Sequence, residues 1–116
     1  MKIAVIAGDG IGKEVTAEAL RVVRRTAEVF GRQLEVEELP WSADYLLETG
    51  ITMPPNGYDH LRLFDAVFIG ALGDPRIPDN RHARVANLLL PGFADGREQN
   101  LPGITLLITR CHTTRW

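Results

Sequence analysis

The hydrophobic pattern of this chain is built on two wholly apolar runs. The first, Ile3-Ala4-Val5-Ile6-Ala7 after Lys2, is short and rich in β-branched residues, the mark of a strand buried on both faces. A turn with three glycines follows, Gly8-Asp9-Gly10-Ile11-Gly12, and then a helix is predicted from about Lys13. Within it Val15, Ala19, Val22, Val23, Ala27 and Phe30 form an apolar stripe, with Glu14, Glu18, Arg21, Arg25 and Glu28 on the opposite face. Gly31 suits the position just past the helix end. A buried strand, a glycine turn and an amphipathic helix open a βαβ unit, and the helix N-terminus is a ready place for anionic groups.

Residues 33–39 alternate, with Leu34, Val36 and Leu39 against Glu35, Glu37 and Glu38, which predicts a strand near a sheet edge that Pro40 stops. Ser42 caps a short helix through Asp44, Tyr45, Leu46 and Leu47, and Gly50 closes it. Met53-Pro54-Pro55-Asn56-Gly57 is a turn cluster, and residues 58–63 supply one or two helical turns. The second wholly apolar run, Ala66-Val67-Phe68-Ile69-Gly70, matches the first in character, so the two are placed side by side and parallel. A loop over residues 72–80 leaves the carboxyl end of that strand, as the glycine turn leaves the first. Ligands of open parallel sheets gather at that edge, so these two loops are the best candidate site. Residues 85–90 are apolar, Pro91-Gly92 breaks them, residues 94–100 have no clear period, and residues 104–109 suit a further strand. The expected fold is α/β, a partial layered domain on a parallel sheet. The short segments after Pro40 and Pro54 give thin cover, so marginal stability and an exposed apolar patch are expected.

Composition narrows the function classes. With 116 residues, 45% apolar and 24% charged, the chain is the size of one ordinary soluble domain. A net charge of −2 gives no basic surface for nucleic acid or membrane. No apolar run is long enough to span a bilayer, and the N-terminus reads as a strand rather than a signal peptide. Cys111 is alone, which excludes an internal disulfide and points to the cytoplasm.

Two generic phosphate-loop patterns fail. For G-x-G-x-x-G, Gly8 and Gly10 fit, but Lys13 stands where the third glycine belongs. For a P-loop, Gly12-Lys13 is followed by Glu14, and Ala7 replaces the first glycine. On these grounds a bare strand-to-helix turn and a cofactor loop stay equally open. Glu37 and Glu38 read as solvated edge charge rather than ribose ligands. His60 and His82 lack metal-ligand spacing, and the adjacent Cys111-His112 diverge in a strand, so no metal site is expected in this chain. No nucleophile elbow is present, and Asp74, Arg76 and Asp79 suit either a polar ligand or their own turn.

Gly8-Asp9-Gly10-Ile11-Gly12-Lys13-Glu14-Val15 closely resembles the N-terminal motif of the isopropylmalate/isocitrate/tartrate dehydrogenases, which usually has proline in place of Lys13. Asp44-Tyr45-Leu46-Leu47-Glu48-Thr49-Gly50, Met53-Pro54, Phe64-Asp65-Ala66 and the segment from Gly70 to Asn80 resemble that family's next segments, in order. The resemblance covers residues 1–84. It implies an isopropylmalate dehydrogenase-like fold and NAD(P)-dependent oxidation of a malate-type 2-hydroxy acid with decarboxylation, assisted by Mg2+ or Mn2+, in enzymes that are homodimers at full length. It implies cofactor contacts at Asp9, Gly10, Ile11 and Gly12 and at Leu72, Gly73, Asp74 and Pro75.

The departures begin after residue 84. Family members carry a Leu-Arg helix and then Asn-x-Arg-Pro, whose arginines hold substrate carboxylates. Here Asn100-Leu101-Pro102-Gly103 echoes the second segment without its arginine, and Pro91-Gly92-Phe93 interrupts the helix. The family's catalytic tyrosine and lysine and its metal-binding aspartates have no counterparts, so no catalytic residue is assigned. The expectation is one N-terminal dehydrogenase fragment, family-like over 1–84 and divergent or frameshifted over 85–116, inactive alone. The competing expectation is a non-catalytic nucleotide- or anion-binding α/β module.

Overall fold

The computed structural model describes residues 1–79, 81–83 and 105–108. The apolar run at 85–90, the break at Pro91-Gly92, the echo at Asn100 and the Cys111-His112 pair lie outside the described residues. The first apolar run forms β1 (Lys2–Ile6) and feeds α1 (Ile11–Val29). Then come β2 (Glu35–Glu38), α2 (Ala43–Thr49), α3 (Gly57–Leu61), β3 (Ala66–Ile69), a 3-10 turn at Arg81–Ala83 and β4 (Thr105–Ile108). Among the described residues the strands make one parallel sheet in the order β2-β1-β3-β4. The two apolar runs are indeed neighbours, with Ile3 opposite Ala66 and Ile6 opposite Ile69, and β2 lies at the edge.

The sheet's two faces carry separate cores because side chains alternate along each strand. Ala4, Ile6, Val67 and Ile69 point to one face and pack with Trp41, Leu61 and Phe64. Ile3, Val5, Ala66 and Phe68 point to the other, where Leu20 of α1 covers them. The first face is better covered than the short segments after Pro40 suggest. Trp41, only 4% exposed, and Phe64 do much of that covering from loops.

Helix α1 starts two residues before the predicted Lys13, and its phase differs from the predicted stripe. Its buried positions are Gly12, Thr16 and Leu20, flanked by Ala19 and Val23, whereas Val15, Val22 and Phe30 are exposed. The physical reason is the close seat of its first turns. A Cβ on Gly12 would lie 2.5 Å from the Ala7 carbonyl oxygen, so only small residues bring the helix onto the β1 and β3 ends. The C-terminus is as expected. Gly31 donates to the Glu28 carbonyl and Arg32 to the Ala27 carbonyl, the paired bonds of a Schellman stop.

Ser42 caps α2, its hydroxyl accepting from the Tyr45 N–H at 3.3 Å, and Gly50 closes the helix. Replacing Ser42 with Ala is expected to cost about 1 kcal/mol, checked by the shift in the urea unfolding midpoint. No helix among the described residues is long and apolar enough to cross a membrane.

Candidate functional site

Going from β1, the chain places β2 on one side and then returns to place β3 on the other, so strand order reverses between β1 and β3. In open parallel sheets a crevice forms outside the carboxyl ends of the strands at such a reversal, and ligands bind there. The loops leaving β1 and β3 are the two singled out above, and they are in contact. The Asp9 N–H donates to the Ala71 carbonyl at 2.7 Å, and the Gly73 N–H donates to Asp9 Oδ2 at 3.1 Å.

Asp9 is the centre of this rim. It is 5% exposed, and its other oxygen, Oδ1, accepts from the Ala43 N–H at 2.7 Å, which ties in the start of α2. His82 Nε2 stands 2.9 Å from Asp9 Oδ2, both side chains being almost fully enclosed. The contact is close but poorly directed, and neither ring nitrogen of His82 has a well-aligned hydrogen bond among the described residues. One short carboxylate therefore joins the β1 loop, the β3 loop, α2 and the 3-10 turn. His82 was passed over in the sequence as lacking ligand spacing, and it carries no local signal, because its partner lies far back in the chain.

The remaining predicted positions separate by what surrounds them. Gly8 and Gly12 press against the Ala71 backbone, so their small size serves the contact between loops. Gly10 and Gly73 have nothing within 4 Å of a Cβ, and Ile11 is 61% exposed. Pro75 is exposed too, while Leu72 is half-buried against the core beneath Ile69. The open surface of the rim is thus Gly10, Ile11, Gly73 and Pro75. Beside it, at the ends of β1 and β2, lies a cleft of about 520 Å³ whose walls include Gly8, Lys13, Glu38, Asp44 and Tyr45.

A chain of charges laces the outer side of the rim. Lys13 Nζ donates to Asp44 Oδ2 at 3.1 Å, and Arg76 Nη2 donates to Asp44 Oδ1 and to Asp74 Oδ2, each at 2.6 Å. The Arg76 side chain and its backbone N–H hold the Asp74 carboxyl down at about 2, from an ordinary 3.8. Arg76 and then Lys13 likewise lower Asp44. A carboxylate depressed by folding contributes stability that is fully present above its unfolded value and lost as pH falls through its folded one. The stability difference between the chain and Arg76→Gln should therefore be present at neutral pH and shrink between about pH 4 and pH 2, measured by urea unfolding across that range. Asp79 instead pairs with Arg81, and Glu37 with His60 at 2.7 Å, so neither joins the rim.

Residues 2–91 match the family model described as isocitrate/isopropylmalate dehydrogenase. This chain belongs to that family. Its parallel α/β architecture is the isopropylmalate dehydrogenase-like fold in part. The chain is 47% identical over 91 residues to a probable tartrate dehydrogenase/decarboxylase of Bacillus subtilis (strain 168), covering 77% of this chain and 25% of that protein. It is 41% identical over 118 aligned positions to a probable tartrate dehydrogenase/decarboxylase of Agrobacterium vitis, covering 95% of this chain and 32% of the other. It is 44% identical over 82 residues to the D-malate dehydrogenase [decarboxylating] of Escherichia coli (strain K12), covering 69% and 23%. The chain thus spans a third or less of the length of these curated relatives. Among the described residues no group of three or more His, Cys, Asp or Glu side chains is arranged to hold a metal ion. The described residues therefore do not fit the divalent cation that the resemblance implies.

Proposed function

We propose that this chain forms the coenzyme-side wall of an NAD(P)-dependent β-decarboxylating dehydrogenase acting on a malate-type 2-hydroxy acid of the isopropylmalate, isocitrate or tartrate class. The observation that carries the reading is the rim itself. Two loops meet at the sheet's point of reversal and leave Gly10, Ile11, Gly73 and Pro75 open, with backbone uncovered by side chains where a flat ring or a phosphate can approach. Asp9 spends its carboxylate inward, so in this reading it shapes the cofactor surface rather than touching the ligand. The named activities of the relatives support the substrate class. The groups that hold substrate and metal and that move protons are supplied by chain beyond the rim, so the 116 residues alone are inactive.

Titrating the chain with NAD+ and with NADP+, followed by amide chemical shifts, should move Gly10, Ile11, Gly73 and their neighbours. Assays with D-malate, tartrate or isopropylmalate plus Mn2+ should show no turnover until a longer polypeptide that continues the family's sequence is supplied. Unmoved amides at saturating coenzyme would refute the cofactor surface, and turnover by the 116-residue chain would refute its incompleteness.

A further inference from the structure

The last two turns of α1 lie at the amino edge of the sheet, away from the rim, and carry apolar side chains that the core leaves open. Phe30 is 73% exposed and Val22 66%. The Schellman stop turns the chain back at Gly31. The Arg32 N–H then donates to the Ala27 carbonyl at 2.8 Å, which sets the Arg32 side chain beside the helix end. Met1 stands on the other side, its carbonyl accepting from the Glu35 N–H at 2.9 Å. Met1, Val22, Val23, Ala27, Phe30 and Arg32 thus line an apolar groove of about 370 Å³, at the low end of the size range of small-molecule sites.

Charge selects the occupant. Arg32 is the charged side chain of the lining, and among the described residues it meets no carboxylate. The α-ammonium of Met1, which donates to the Gln33 carbonyl at 3.0 Å, adds a second positive charge. The neighbouring acids point elsewhere. Glu28 is held by Arg25 at 3.0 Å, and Glu35 projects from the face of β2 opposite to Val36, which packs on the α1 side. The Thr26 hydroxyl spends its hydrogen on the Val22 carbonyl at 2.9 Å, so the free donors of the groove are its two cations. We propose that the groove binds a free medium-chain carboxylate of about ten carbons, with the alkyl chain along Val22, Val23, Ala27 and Phe30 and the head on Arg32. The planar guanidinium suits a carboxylate, and burial of the methylenes supplies most of the affinity. A neutral alkyl ligand leaves both cations without a partner, and a cationic one faces two like charges.

Decanoate, titrated below its micelle concentration into the 116-residue chain, should bind saturably and one-to-one. It should move the amides of Val22, Ala27, Phe30 and Arg32 and leave those of Gly10 and Gly73 in place, which separates this groove from the coenzyme rim. Hexanoate, shorter by four methylenes, should bind about tenfold or more weakly. Arg32→Gln should raise the decanoate dissociation constant about three- to fivefold, and Arg24→Gln, outside the groove, should leave it unchanged. Arg32→Glu should remove the preference for decanoate over decyltrimethylammonium. Arg32 and Arg24 are exposed, so the helical circular dichroism of all three variants should match the parent's. Absence of saturable binding, shifts centred outside the groove, decanol binding as tightly as decanoate, or an Arg32→Gln chain with the parent's affinity would each overturn the proposal.

Discussion

Replacing Asp9 with Ala is expected to destabilise this chain by about 3–5 kcal/mol, enough to unfold a domain of ordinary stability. The carboxylate accepts the Ala43 and Gly73 N–H groups and faces the enclosed His82 ring. Removing it leaves the buried Ala43 N–H without its acceptor, frees the Gly73 loop from the rim and takes away the carboxylate that the enclosed His82 ring faces. Asp9→Asn is the informative comparison. Its amide oxygen keeps one of the two N–H bonds, but its NH2 group turns a donor towards the other, so a loss of about 1–3 kcal/mol is expected. Urea unfolding gives both values. In the folded fraction of the Asn variant, faster hydrogen exchange at Gly73 or Ala43 identifies the bond that was lost. Equal, small losses for Ala and Asn would mean that the three loops are held by something other than this carboxylate.

The rim was legible in the sequence where it rests on strand character. Residues 3–7 and 66–70 are apolar without alternation, which only a strand covered on both faces requires, and that alone made them neighbours and set their loops together. The edge position of β2 was legible from its glutamates, and the α2 boundaries from Ser42 and Gly50. The phase of α1 was not. Val22 and Phe30 look like core by type, while Gly12 and Thr16 look like surface, yet close approach to Ala7, Gly70 and Ala71 selects small side chains at the contact. The direction of the Asp9 oxygens was not legible either. They meet groups 34 and 64 residues further on, and no local pattern encodes a bond of that span. Trp41 and His82 were missed for the same reason: each is buried by partners that folding, not spacing, brings to it.

The close contact between the loops makes a second large effect. Gly8→Ala is expected to cost about 3 kcal/mol or more, whereas Gly10→Ala, two residues on, should cost only about 1–2 kcal/mol. Both glycines have positive φ, +80° and +47°, so both substitutions bear a conformational penalty for an L-residue. They differ in what the new methyl group meets. At Gly8 it would lie 2.0 Å from the Ala71 carbonyl oxygen and 2.8 Å from the carbonyl carbon, and backbone cannot step aside as a side chain can. The β3 loop would have to withdraw, breaking the 2.7 Å bond from the Asp9 N–H to that same oxygen and carrying Gly73 away from the carboxylate. At Gly10 the methyl group would enter open space. Urea midpoints of the two variants measure the difference. In the coenzyme reading the pair also separates stability from binding. Gly10→Ala should fold nearly as well as the parent yet bind NAD+ more weakly, because its methyl group fills the surface the dinucleotide would cover. A Gly10→Ala chain with the parent's affinity would move the coenzyme off this rim, and a Gly8→Ala chain as stable as Gly10→Ala would show that the two loops are not locked together.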